Sequence, residues 1–228
     1  LAWVLNLQAG LPSIKDYDNV YLQQRFGADV SLQYRKDKLS IQASANYLRN
    51  DNAGFRDGDV YTIIGNKKTT FPSQGERSFD KYTYGGRINA TYTVNEKHEL
   101  NVGLLASRKY QDRVADIYYK NQSFDLNSGQ STHALNYFNP NLQNKQGEFY
   151  LADISYLLKL SSSHKIKFAG IYEHANIYGS TNNGNIVNKI DTMQWARNTY
   201  SNPLNGFRVG LEYSWSLAKG ILSSGYQY

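Results

Sequence analysis

Four histidines, His98, His133, His164 and His174, are the only imidazoles for acid–base chemistry in a 228-residue chain without cysteine. The missing thiols exclude a thiolate nucleophile, a cysteine-ligated metal and a disulfide. No histidine has the i, i+4 partner of a helical zinc site, and no Gly-x-Ser-x-Gly elbow occurs. His98 and His164 sit beside short turns, where a solvated ring is expected. His133 falls in a long polar segment and His174 at the end of an alternating run. A hydrolase would need Ser, His and a carboxylate converging at one place. The chain is therefore read as a non-enzyme, with no cofactor and no metal.

Two other groups of residues could bind. Asp51-Asn52-Ala53-Gly54-Phe55-Arg56-Asp57-Gly58-Asp59 concentrates oxygen ligands as a calcium loop does. It lacks the helical calcium-loop spacing, and Arg56 repels a cation, so turn formation by Asp and Gly accounts for it. The second group is Arg25, Asp29, Arg87, Lys109, Asp153, Glu173, Arg208 and Glu212. Each falls in the polar phase of an extended alternating run. Together with Ser, Thr, Asn and Gln they could line a solute path or hold a packed domain. Leu48, Leu105, Leu151, Leu157 and Ile171 fall in the same phase, which suits contact with something inside.

The elements that carry these groups repeat. Phe26, Ala28, Val30, Leu32 and Tyr34 alternate with Arg25, Asp29, Ser31, Gln33 and Arg35. After a turn at Lys36-Asp37, Leu39, Ile41, Ala43, Ala45 and Tyr47 resume the apolar phase. This period of two specifies strands with one apolar and one polar face. Similar hairpins turn at Val94–Lys97, Ser161-Ser162-Ser163 and Ala218-Lys219-Gly220, and a shorter run (Leu1, Trp3, Leu5, Leu7) opens the chain. The hairpins are expected at about 22–50, 78–110, 146–178 and 205–228, giving about eight or nine antiparallel strands and an all-β meander.

Composition points to where such strands reside. Mean hydropathy is −0.61, and no run approaches the roughly 20 apolar residues of a membrane-spanning helix. Yet 20 Tyr, 9 Phe and 3 Trp make up 14% of the chain. Rings with a polar tip suit a membrane interface. The connections 51–78, 111–145 and 179–205 are far longer than the turns at the opposite end. That asymmetry is the rule in outer-membrane barrels, whose long loops are extracellular. Aromatics on the apolar phase open and close the strands: Phe26 and Tyr34, Tyr84 and Tyr92, Tyr150 and Tyr156, Phe207 and Trp215, with Tyr47 and Tyr172 on return strands. About nine residues tilted by roughly 40° cross roughly 23 Å, close to the apolar band of such barrels. These ten aromatics are read as membrane-interface residues of a transmembrane β-barrel in the bacterial outer membrane. The net charge of +6 is scattered, so no nucleic-acid partner is expected. Clustered loop aromatics (Tyr118-Tyr119, Phe124, Tyr137-Phe138, Trp195) could self-pack or bind sugars or peptides.

The segments Arg25-Phe26-Gly27-Ala28-Asp29-Val30-Ser31-Leu32-Gln33-Tyr34-Arg35 and Asn46-Tyr47-Leu48-Arg49-Asn50-Asp51 resemble the barrel region of TonB-dependent receptors from Bacteroidetes. So do Asp59-Val60-Tyr61-Thr62 and Gly75-Glu76-Arg77-Ser78-Phe79-Asp80-Lys81-Tyr82. The resemblance implies a 22-strand barrel around an N-terminal plug domain, taking up a glycan, peptide or metal chelate with energy delivered through TonB. It implies outer-membrane lipid and the TonB complex as partners, and allows a surface lipoprotein. With too few strands and no recognisable plug or TonB box, the chain is expected to be an excerpt of that barrel. The alternative is a self-contained small barrel acting as an adhesin or anchor.

Overall fold

A computed structural model describes residues 1–11, 24–187, 191–218 and 220–228. Residues 22–23 of the first expected hairpin, 188–190 of the last long connection and Lys219 of the last turn lie outside the described residues. The fold is all-β and antiparallel, with no helix among the described residues. Its fifteen strands are β1 (Ala2–Ala9), β2 (Arg25–Lys36), β3 (Leu39–Asn50), β4 (Phe55–Gly58), β5 (Tyr61–Ile64), β6 (Lys67–Thr70), β7 (Ser73–Glu76) and β8 (Ser78–Asn95). They continue as β9 (His98–Val114), β10 (Ile117–Asp125), β11 (Ser131–Asn139), β12 (Asn141–Lys159), β13 (His164–Val187), β14 (Asp191–Leu217) and β15 (Gly220–Gln227).

Fifteen strands exceed the expected eight or nine, and the register explains the difference. The pairing of Leu39 with Tyr92 carries on, with no residue gained or lost, to Asn52 with Phe79, Phe55 with Glu76 and Tyr61 with Thr70. Likewise Ser78–Val114 continues as Gly75–Ile117 and Thr70–Gln122, and Val114–Leu142 continues as Ile117–Asn139. Hence β3 to β5 are one course, as are β6 to β8, β9 with β10, and β11 with β12. With β1, β2, β13, β14 and β15 this makes nine long courses, each paired with its sequence neighbour. Pro72 and Pro140 mark two of the breaks, because a residue without an N–H interrupts the ladder without shifting it. Among the described residues β1 pairs only with β2 and β15 only with β14, so the two edges do not join.

The connections expected over 51–78, 111–145 and 179–205 are thus mostly strand. Their Gly, Asn, Asp and Pro content reads locally as loop, but the neighbouring courses supply hydrogen-bond partners and the ladder prevails. Turning is confined to the tips. Gly65 takes a positive φ of 59° between β5 and β6. At the other tip the Asp125 carboxylate accepts from the Asn127 and Ser128 N–H groups at 2.9 and 2.8 Å, which holds its pKa below the usual carboxylate range. At the opposite end the turns are tight: Asp37 adopts φ 49° between Lys36 and Leu39, as a two-residue hairpin requires.

Paired residues share a face, so the register assigns every side chain. One face is apolar, with rows such as Trp3, Leu32, Ala43, Ile88, Leu104, Ala152, Tyr172 and Phe207. The aromatic margins of this face slant across the sheet. Phe26 on β2 is level with Ser201 on β14, but the apolar run of β14 opens at Phe207, six residues on. Tyr34 is level with Val209, and the run closes at Trp215, again six residues on. Six residues (about 20 Å) over six inter-strand gaps (about 29 Å) give a slant of about 35°. Both margins slip by six residues between β2 and β14, so the band is about 22 Å across at each, although Tyr150 and Tyr156 on β12 stand only six residues apart.

Burial is scarce. Val114, Ala115 and Ile117 are the only buried hydrophobic side chains among the described residues. The surface of 15528 Å² compares with roughly 10,500 Å² expected for a compact globule of this mass.

One close approach stands out where β7 meets β10. A Cβ on Gly75 would lie 2.0 Å from the Asp116 carbonyl oxygen, whereas one on Gly58 meets nothing within 4 Å. Gly75→Ala is expected to lower stability by about 1–3 kcal/mol, as overpacking against backbone does. Gly58→Ala should leave the denaturation midpoint nearly unchanged, and equal effects would refute the packing argument.

Candidate functional site

The face opposite the apolar band is polar, and all eight charged residues singled out in the sequence lie on it. Arg25 pairs with Asn50, and Arg87 with Ser44, itself opposite Ser31 in the phase of Asp29. Lys109 pairs with Thr83 and Gly147. Asp153 and Arg208 flank Ile171 from either side, with Glu173 two residues further along β13. Glu212 stands opposite Lys167. The eight are spread over the whole face rather than gathered; only Asp153, Glu173 and Arg208 form a group. Glycines make room for the two acids: the position of a Cβ on Gly103 is occupied by Asp153 and that on Gly206 by Glu173. Leu48, Leu105, Leu151, Leu157 and Ile171 share this face, and Leu105 pairs directly with Leu151. Shallow hollows of about 470 and 310 Å³ lie here, one bordered by Lys167, Ile171, Arg208 and Glu212, the other by Ser31, Gln42, Arg87 and Asn89.

Phe26, Tyr34, Tyr47, Tyr84, Tyr92, Tyr150, Tyr156, Tyr172, Phe207 and Trp215 all lie on the apolar face. Ring contacts run along its upper margin from Phe26 through Tyr47 and Tyr82 to Tyr110, with centroid spacings of 5.9, 6.4 and 4.8 Å. The histidines border the apolar band. His98 and His164, expected as solvated rings beside short turns, stand at those turns and join the lower margin. His98 bonds the Tyr156 hydroxyl, and His164 bonds Tyr213 at 2.6 Å while stacking on Trp215 at 5.6 Å. His174 sits at the upper margin, 2.8 Å from Asn205 Oδ1 and 3.9 Å from Glu148. Each is a polar tip set at the border of the apolar band.

Residues 51–59 do not form a cation loop. β4 occupies Phe55–Gly58, and the fully buried Asp51 carboxylate accepts from Arg49 Nε at 2.8 Å and from the Lys81 N–H at 2.9 Å. Asp57 accepts instead from the Gln74 amide. The acids are dispersed by the strands that carry them.

Sequence reasoning missed the polar face beyond the upper margin, because it lies in the supposed loops. There Tyr119 and Tyr137 stack at 4.9 Å and 15°, and the Arg56 guanidinium lies 5.9 Å from the Tyr119 centroid while donating to Ser73 Oγ at 2.8 Å. Asn139 Nδ2 donates to Asn183 Oδ1 at 2.7 Å and Asn185 Oδ1 at 2.9 Å. Tyr118 and Phe138 face the other way, beside a hollow of about 430 Å³. The odd-number phase of Gly75 to Arg87, continuing that of β8, is the signal that could have revealed these faces.

Removing the cation that partners Asp51 leaves a buried carboxylate under-compensated. Arg49→Ala should cost about 3 kcal/mol, and Arg49→Ala with Asp51→Asn should recover part of that loss in a denaturation series. A double variant as unstable as the sum of its parts would show that the pair is not coupled. Comparison with protein families, characterised proteins and solved structures finds no match for this chain.

Proposed function

We propose that the chain is part of the wall of a bacterial outer-membrane β-barrel, of the TonB-dependent receptor kind, which takes up a nutrient ligand. The observation that carries this reading is the pair of parallel, slanted aromatic margins on the apolar face. Strands of transmembrane barrels tilt by about 35–45°, and a level membrane therefore cuts them along a slant. The band of about 22 Å agrees with the roughly 25 Å apolar belt of such barrels. A soluble sandwich gives no reason for two margins that slip together from β2 to β14, and a single layer gives its apolar side chains no second sheet to pack on.

Lipid covers the apolar face in this reading, and the polar face looks into the barrel. The leucines on that polar face meet a plug domain outside this chain, through which TonB delivers energy, and a surface lipoprotein fits over the long hairpins. Free sheet edges at β1 and β15 favour a wall within a larger barrel, such as one of 22 strands, over a small closed barrel serving as adhesin or anchor.

The chain has no native cysteine, so spin labels can be placed singly along β8 at Ile88, Asn89, Ala90 and Thr91 in the full protein reconstituted in lipid. Labels at Ile88 and Ala90 should be accessible to oxygen and shielded from a water-soluble nickel chelate, with Asn89 and Thr91 showing the reverse. Equal chelate access at all four positions would exclude a lipid-facing wall.

A further inference from the structure

We propose that the polar face just beyond the upper aromatic margin is a seat for a multiply charged anion, centred on Gln111. This names the ligand class of the uptake reading and rests on it. Lys81 and Lys145 stand on either side of Gln111 in the same row. Lys109 and Arg113 precede and follow it by two residues on β9, so they share its face. Adjacent strands lie roughly 5 Å apart and alternate residues roughly 7 Å apart. Four cations therefore surround one amide that can donate to an anion lying among them. Arg25 and Arg56 extend the same face on neighbouring courses.

The charges on the two faces are segregated. Between the level of Asp29 and that of Arg56, no Asp or Glu shares this face among the described residues. The acids of these rows, Asp51, Glu76, Asp80, Asp112, Asp116 and Glu148, alternate to the opposite face. Every ion pair found among the described residues is also there: Arg49 with Asp51 and Asp80, and Glu148 with Arg108 and His174. Among the described residues no acid lies within ion-pair distance of the four cations around Gln111. Arg113 keeps a buried Nε with no hydrogen-bond partner. Like charges held this close without counter-charges cost free energy, and a bound anion relieves that cost. Nearer the tight turns the same face is mixed, with Asp153, Glu173 and Glu212 among its cations, so the cationic field is confined to one end.

The test is calorimetric titration of the full protein in detergent at low ionic strength, with sodium tripolyphosphate as anionic probe and maltohexaose as neutral probe. Tripolyphosphate should bind and maltohexaose should not. Raising salt should weaken binding, and the Lys81→Gln, Lys109→Gln, Lys145→Gln triple variant should lose roughly tenfold or more in affinity. Lys159→Gln with Lys165→Gln, at the far end of the same face, should leave affinity unchanged. The proposal is overturned if tripolyphosphate does not bind, if both variants lose affinity equally, or if the triple variant loses its folded, heat-modifiable form. The last result would mean that the cations serve the protein's own carboxylates. Probe binding in detergent does not depend on the spin-label result. Lipid-facing labels without anion binding would sink this inference alone, and water-exposed labels would sink the uptake reading.

Discussion

An unbroken backbone ladder is the constraint on which everything else here depends. In a single layer each strand can satisfy its N–H and C=O groups only through its lateral neighbours. A shift of one residue would send every side chain beyond it to the other face. The courses from β2 to β13 cross Pro72, Pro140, Arg77 and Asp116 without such a shift. Conserved register is what keeps the apolar band apolar and the cationic belt cationic over the full length of the strands. Where the register shifts, at Thr93/Asn95, Ser123/Phe124 and Asn185/Ile186, it does so near a hairpin tip, past both.

That ladder is not accompanied by a core. The three buried hydrophobic side chains among the described residues cannot offset the conformational entropy of ordering more than two hundred residues, at about 1–2 kcal/mol each for the backbone alone. Ile154 at 53% exposure, Leu104 at 52% and Leu211 at 46% sit in mid-band with no protein over them. The margins instead show how such a face is bordered: Tyr156 with His98, Tyr213 with His164, and Arg108 with Tyr178 at 2.7 Å put a ring toward the band and a hydrogen bond at its edge. Small residues between the margins, such as Ala43, Gly86 and Ala90, need no fixed partner, which suits a fluid medium.

Alternation made much of this legible in advance. Runs such as Phe26 to Tyr34 and Leu39 to Tyr47 state their two faces locally, and the paired positions of the aromatics and charged residues follow from that period. What alternation could not convey is anything that depends on a partner strand. The segment from Asp51 to Ser78 reads as loop because Gly54, Gly58, Gly65 and Pro72 are turn residues, yet β7 is held by β10, about forty residues on. The His98–Tyr156 pair spans a separation of 58 residues. The slant of the band and the cross of cations around Gln111 exist only in the register.

The slant is also the most exposed consequence of the account. If lipid meets the apolar face, the margins must run level in the membrane and the strands must lean by the angle between margin and ladder. Polarised infrared dichroism of the full protein in oriented bilayers measures that lean directly from the amide bands. A mean strand tilt near 35° from the membrane normal is the expected result. Strands lying along the normal or in the membrane plane, or showing no order at all, would contradict it.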